Sequence, residues 1–80
     1  MLLKDTEVAA HLGMARSSVW GCVREGTLTA PIRRGPKWSR WPSDEVDRIE
    51  RAITAGASDD ELRELVKELT EARSAGRDAA

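Results

Sequence analysis

The core of this protein has to be built from few kinds of large side chain, because the sequence contains neither Phe nor Tyr. Its aromatic residues are three tryptophans, Trp20, Trp38 and Trp41, and its other large apolar residues are mainly Leu, Val and Ile. A chain of 80 residues with 40% hydrophobic content is long enough for one compact domain and too short for two. Each Trp that is buried therefore supplies a large share of the stabilising area, and losing it is expected to be costly.

The composition argues against several classes of protein. The single cysteine, Cys22, rules out an internal disulfide, and one Cys with one His, His11, cannot fill a four-ligand zinc site. His11 also has no acid or nucleophile at a spacing useful for catalysis. The chain has no secretory leader and no apolar run near the roughly 18 residues that a membrane span needs. We expect a soluble, cytoplasmic protein that is not an enzyme and that uses no metal, cofactor or membrane.

The net charge of −1 conceals an uneven distribution along the chain. Residues 1–42 contain seven Lys or Arg and three Asp or Glu, a charge of +4, whereas residues 43–80 contain six and eleven, a charge of −5. Such a division is expected if one end meets a polyanion while the other is a solvated or partner-facing surface. On charge alone, ordinary variation among helix surfaces explains the pattern equally well.

Two short helices are predicted in the first 26 residues. The first has an acidic first turn from Asp5 and ends at Gly13, which can adopt the left-handed conformation that stops a helix. The second begins near Arg16 and ends at Gly26, and its apolar residues follow helical spacing and face the core: Val19, Cys22 and Val23. The short connection over residues 13–15 is typical of a helix-turn-helix.

The segment 27–41 has a different character and predicts a β-hairpin. It contains Pro31, and the turn signal Arg34-Gly35-Pro36 separates the extended stretches 30–33 and 37–41. Alternation along the second strand puts Trp41 and Ser39 on one face and Trp38 and Arg40 on the other. We assign Trp41 to the core.

Two further helices are predicted. The third starts with Ser43 as its N-cap, ends at Gly56 and carries one apolar face, formed by Val46, Ile49 and Ile53. The fourth starts at a capping box over residues 58–61. The carboxylates after Ser43 alternate with Lys and Arg, and we expect them to form a solvated helix face.

The fourth helix carries one apolar stripe, formed by Leu62, Leu65, Val66 and Leu69. This stripe either folds back as core, which the small size of the domain favours, or forms an association face. Residues from Ser74 onward have no apolar face and are predicted to be disordered. The chain is thus divided into a domain over residues 1–56, an amphipathic helix over 57–73 that packs on the domain or mediates association, and a tail over 74–80.

Short pieces of sequence spread over residues 2–53 carry a resemblance to a known family: Leu2-Leu3, Glu7-Val8-Ala9, Leu12-Gly13, Arg16-Ser17-Ser18-Val19-Trp20, Arg24-Glu25-Gly26, Pro31, Gly35-Pro36 and Arg40-Trp41. Together they resemble the AlpA family of phage-derived regulators, within the excisionase and MerR-like winged-helix group. The resemblance implies a fold that is mainly α with a small β-hairpin, a winged helix-turn-helix plus C-terminal helices. It also implies that the second helix enters the major groove and that the hairpin is a wing along the adjacent backbone or minor groove.

The same resemblance implies that the chain is a sequence-specific DNA-binding protein. It would act as a transcriptional regulator or as an excision directionality factor of a prophage or similar element. This chain departs from the family pattern at three positions. Lys4 and Ala15 stand where the family favours a Ser or Thr helix cap, and Gly21 stands where relatives tend to carry a basic residue.

Ten residues are the candidates for contact with DNA. Those on the second helix are Arg16, Ser17, Ser18, Trp20 and Arg24, and those in the wing are Arg33, Arg34, Lys37, Trp38 and Arg40. The early residues of a recognition helix reach base edges, and arginine binds guanine through two hydrogen bonds. The wing cations suit phosphate.

Each candidate also has a structural alternative. The two serines satisfy free amides at the helix start, the wing cations are an ordinary solvated charge run, Trp20 is partly buried against the first helix or the wing, and Trp38 packs or stacks on a neighbouring Arg.

Two other functions remain open. One is a protein-interaction module that works through the acidic C-terminal helix, and the other is the DNA-anchoring module of a phage packaging subunit. The expected partners are double-stranded DNA, a second copy of the chain in a homodimer or a head-to-tail oligomer on DNA, and a polymerase or recombinase.

Overall fold

The computed structural model describes residues 1–79, with side chains as far as residue 76, and it is mainly helical with a small antiparallel sheet. Its elements are, in chain order, β1 (Leu2–Leu3), α1 (Asp5–Leu12), α2 (Arg16–Glu25), β2 (Ile32–Arg33), β3 (Ser39–Pro42), α3 (Ser43–Thr54) and α4 (Asp59–Ala79). The sheet has the order β1-β3-β2. The predicted hairpin is present as β2 and β3, and the unpredicted strand β1 pairs with the other edge of β3.

The helices α1 and α2 end at glycines, as predicted. Gly13 and Gly26 have φ angles of 65° and 82°, in the left-handed region that a side chain makes costly. Neither helix has a side-chain cap at its start, where Lys4 and Ala15 stand. At α1 the Glu7 carboxylate instead accepts a hydrogen bond of 2.9 Å from the Lys4 backbone N–H.

The start of α3 differs from the prediction. Ser43 is the first residue of the helix and not its cap, and the preceding Pro42 has extended backbone angles and makes no side-chain capping bond. The Ser43 N–H donates to the carbonyl oxygen of Met1 at 2.8 Å. The pairing of β1 with β3 places Met1, the residue before β1, next to the start of α3, and no side chain caps this helix.

The start of α4 agrees with the sequence, and its end does not. The Ser58 N–H donates to Glu61 Oε1 at 3.0 Å, and the Glu61 N–H donates to Ser58 Oγ at 3.2 Å, so both bonds of the capping box form. The helix continues to Ala79, whereas residues 74–79 were predicted to be disordered; Ala80 lies outside the described residues. Extending a docked helix needs no apolar face, because each further residue adds one backbone hydrogen bond after nucleation.

The core is centred on Trp41, which is fully buried. Its indole Nε1–H donates to the carbonyl oxygen of Thr29 at 2.7 Å, and the Trp20 ring meets it edge to face with 5.2 Å between ring centroids. The other core residues come from β1, from the helices α1, α2 and α3, and from the loop before β2: Leu3, Val8, Ala9, Val19, Leu28, Val46 and Ile49. The assignment of Trp41 to the core is confirmed, while Ile53 of the predicted α3 face is 46% exposed.

The apolar stripe of α4 also faces this core. Leu62 is buried, and Leu65, Val66 and Leu69 are partly buried against the core cluster. This is the arrangement expected when the stripe serves as core, as the small size of the domain favoured.

A partly buried ion pair joins the C-terminal part of α4 to α3, and it was not predicted from the sequence. Glu45 was expected on a solvated face but is only 5% exposed. Arg73 donates to its two carboxylate oxygens, from Nε at 2.7 Å and from Nη2 at 2.5 Å. The remaining terminal nitrogen, Nη1, donates to the carbonyl oxygen of Ala30 at 2.9 Å. Arg73 therefore joins α4 to α3 and to the segment that leads into the hairpin.

The two hairpin tryptophans should differ sharply in their effect on stability. Trp41→Ala should lower the free energy of unfolding by about 3 to 5 kcal/mol, as truncation of buried aromatics does, whereas Trp38→Ala should cost much less because Trp38 is half-buried. Urea unfolding of both variants measures the difference. The reverse order would contradict the strand register described here.

Removing Arg73 should be costly because it leaves the Glu45 carboxylate buried without its partner. We expect Arg73→Ala to lower the free energy of unfolding by about 3 kcal/mol, the lower end for a broken buried pair, since the Arg73 side chain is 26% exposed. Arg51→Ala, an exposed arginine on α3, is the control and should change it by less than about 0.5 kcal/mol. Combining Glu45→Leu with Arg73→Met should recover most of the loss; no recovery would show that the pair is not its source.

Candidate nucleic-acid interface

The starts of α1 and α2 and the β2–β3 hairpin enclose an open groove of about 380 Å³. Its lining consists of Lys4, Asp5, Arg16, Trp20, Lys37, Ser39 and Arg40, that is, four cationic side chains and one carboxylate. Two predicted contact residues of α2 and two of the hairpin therefore share one surface, which we call the basic groove. Of the α4 residues whose side chains the structure describes, none lines this groove.

The floor of the basic groove is organised by Asp5. Its Oδ2 accepts hydrogen bonds from Arg16 Nε at 2.6 Å and from Trp20 Nε1 at 3.1 Å, and its Oδ1 accepts one from the Thr6 backbone N–H at 2.8 Å. Burial raises the pKa of Asp5, whereas the hydrogen bonds from Arg16, Trp20 and Thr6 and the positive charge of Arg16 lower it. The lowering effects together are larger, so the pKa of Asp5 lies below its ordinary value of 3.8.

The outer side of α2 holds the remaining helix candidates. Ser17, Ser18 and Arg24 are exposed, and Arg16 at the first helical position has 66% of its side chain exposed. Trp20 is partly buried beneath them, as expected, against Trp41 and Asp5. A side chain at Gly21 would first meet the Arg24 guanidinium, at the ordinary contact distance of 3.8 Å.

The four hairpin cations form two groups. Arg33 lies over the Trp20 ring, 5.6 Å from its centroid, and Arg40 lies over the Trp38 ring at 4.8 Å. Each also donates a hydrogen bond to Ser39, Arg33 to the hydroxyl at 3.3 Å and Arg40 to the carbonyl at 2.9 Å. The expected stacking of Trp38 on a neighbouring Arg is confirmed. Arg34 and Lys37, at the turn, are exposed.

One cluster of potential metal ligands lies elsewhere. His11 on α1 and Asp47 and Glu50 on α3 are exposed and bring ligand atoms within 4.8 Å of one another. The His11 Nδ1 to Glu50 Oε2 distance is 3.9 Å, which fits a weak ion pair between two surface helices when the histidine is protonated. The sequence could not reveal this proximity, because the three residues come together only through the packing of α1 on α3.

Sequence reasoning missed three groove residues as parts of a site: Lys4, Asp5 and Ser39. Lys4 and Asp5 were considered only as the start of α1, and Ser39 only for the strand face that it shares with Trp41. The available signal was weak, because Asp5 is one of three carboxylates in the basic segment 1–42.

None of the helices within residues 1–79 has both the length and the apolar character that a membrane crossing requires. Comparison with protein-family models, with curated proteins and with solved structures found no match.

The Asp5 cluster should make stability depend on pH in the acid range. The folded-state pKa of Asp5 lies below 3.8, so its contribution is present above that value and is lost as pH falls through the folded pKa. Asp5→Asn should therefore be less stable than the wild type at pH 7, and this difference should shrink as pH falls below about 3.8. Urea unfolding of both proteins between pH 7 and 3 measures it; a constant difference would contradict the cluster.

Proposed function

We propose that this protein is a sequence-specific DNA-binding regulator with no enzymatic step. In this proposal the chain is a winged helix-turn-helix, α2 enters the major groove, and the β2–β3 hairpin is the wing. The observation that carries the proposal is the shared groove, whose lining includes Arg16 of α2 and Lys37 and Arg40 of the hairpin. A surface with an excess of positive charge, built from a helix start and a hairpin, is suited to a nucleic-acid backbone and an adjacent groove.

The proposed base-reading role of α2 rests on its exposed arginines. Arg16 occupies the first helical position, from which a recognition helix reaches base edges, and Arg24 is exposed at the other end. A planar guanidinium recognises guanine through two hydrogen bonds, and this contact distinguishes guanine from other bases. Ser17 and Ser18 are suited to phosphate or to either base edge.

The proposed role of the wing rests on the different surroundings of its four cations. Arg34 and Lys37 are exposed at the turn, where they can follow the phosphate backbone, while Trp20 and Trp38 stack on Arg33 and Arg40. Phosphate contacts fix position and affinity without reading sequence, and each neutralised phosphate releases counterions.

The resemblance to the AlpA family supports a role as transcriptional regulator or excision directionality factor. Recruiting a polymerase, blocking a promoter and shaping a recombinase complex all use the same DNA contacts, so the proposal covers each of them. An interaction module built on the α4 leucine stripe has less support, because that stripe is packed against the core.

Salt titrations of binding to a DNA site selected from a random pool, and to a scrambled copy, test the proposal. Arg34→Ala and Lys37→Ala should weaken binding to both DNAs alike and reduce the log-log salt slope by about 1. Arg16→Ala and Arg24→Ala should lose about 1 to 3 kcal/mol on the selected site and much less on the scrambled one.

The matched control is Arg51→Ala, which removes the same charge from a surface of α3 that also carries Asp47 and Glu50. It should leave both affinities and the salt slope close to those of the wild type. If the wing variants alter only site preference, or the α2 variants only the salt slope, the roles are reversed. Absence of salt-dependent binding by the wild type would overturn the DNA proposal.

A further inference from the structure

The carboxylate of Asp5 holds Arg16 by one side of its guanidinium. The bond of 2.6 Å is made by Arg16 Nε, and no hydrogen bond from the two terminal nitrogens of Arg16 is found among the described residues. The Asp5 side chain is 19% exposed and the Arg16 side chain is 66% exposed. The acid therefore lies at the base of the groove while the far end of the arginine extends into solvent.

The Asp5 carboxylate is itself held in place by two further hydrogen bonds. Trp20 Nε1 donates to the same oxygen that binds Arg16, and the Thr6 N–H donates to the other. The Trp20 ring is held in turn by its edge-to-face contact with the buried Trp41. A chain of direct contacts therefore runs from the rigid core to the exposed guanidinium.

A guanidinium is planar, so binding at Nε sets the direction in which its two terminal nitrogens point. Those two nitrogens can donate side by side to the O6 and N7 atoms of one guanine. An arginine that is already oriented loses less side-chain freedom on binding than a free one. A hydrogen bond to a neutral amide would orient Arg16 less strongly than one to a carboxylate.

We propose that Asp5 is a positioning residue, which holds Arg16 through Nε and presents its terminal nitrogens to one guanine of the DNA site. This inference rests on the proposed function and adds a residue outside α2 and the wing to the determinants of specificity. Asp5 acts through Arg16 and makes no DNA contact of its own.

The competing explanation is electrostatic. Asp5 is the one carboxylate lining the basic groove, and its negative charge repels phosphate. If this were its whole effect, removing the charge would strengthen binding to every DNA sequence equally, and a substitution that keeps the charge would change nothing.

The test measures the affinity ratio between the selected and scrambled DNAs at fixed salt for Asp5→Asn and Asp5→Glu. An asparagine offers one carbonyl oxygen where Asp5 uses two, and glutamate keeps the charge but moves the carboxylate by one methylene. Both variants should lose about tenfold in the ratio, within the range expected when a bidentate base contact is lost. Asp5→Asn should also bind scrambled DNA more tightly, whereas Asp5→Glu should not. Glu64→Gln, an exposed charge removal on α4, should leave the ratio unchanged.

The same substitutions in an Arg16→Ala background separate positioning from a general effect on the fold. With Arg16 absent, Asp5→Asn and Asp5→Glu should have no further effect on the ratio. A further tenfold loss there, or an unchanged ratio in the wild-type background, would overturn the positioning role. A wild type that selects no site would overturn the proposed function as well, so the two failures are distinguishable.

Discussion

The buried indole of Trp41 is the contact on which the rest of the structure depends. It lies on β3, the central strand, so that its position fixes β1 on one side and β2 on the other. Leu3 is its register partner on β1, and the Trp20 ring of α2 packs against it. Its N–H has lost contact with water, and the bond to the Thr29 carbonyl prevents the cost of an unsatisfied buried donor. A chain without Phe or Tyr has few other ways to join a sheet to two helices.

The C-terminal helix stabilises the same arrangement from the opposite end. Arg63 Nε donates to the carbonyl oxygen of Glu25 at the end of α2, at 3.0 Å, and Arg73 contacts both Glu45 and the Ala30 carbonyl. Backbone carbonyls at the ends of helices and before strands often lack a partner within their own element. Two arginines of α4 thus satisfy backbone groups next to the two elements proposed to contact DNA, and α4 influences their positions without lining the basic groove.

Local patterns predicted the parts of the fold that local forces determine. The glycines that end α1 and α2, the capping box at Ser58 and the inward face of Trp41 each follow from a few neighbouring residues. Strand β1 was missed because two residues carry no usable period, and its pairing with β3 spans about half the chain. The Glu45–Arg73 pair was missed for the same reason, since a carboxylate that a distant arginine will cover cannot be told from a solvated one by its neighbours.

The prediction of the candidate site was similarly incomplete: three of the four cations that line the basic groove were found, and the contacts that organise them were missed. Sequence placed positive charge on α2 and on the hairpin and gave the two groups different roles, but it did not find the carboxylate that holds Arg16 or distinguish the wing cations from one another. In the folded chain Arg16 is bound by Asp5, whereas Arg33 and Arg40 are stacked on Trp20 and Trp38. Arg34 and Lys37 remain exposed at the turn.

Whether a neighbouring side chain orients a cation affects what that cation can contribute to the proposed recognition of DNA. Oriented cations favour a ligand group in one position, which is a property of selective contacts, while exposed cations that no neighbour holds can reach many phosphate positions. Contacts with the tryptophans and with Asp5 therefore separate the cations that a neighbouring side chain orients from those that are only exposed. If the protein binds DNA as proposed, its selectivity depends on uncharged and acidic neighbours as much as on the arginines themselves.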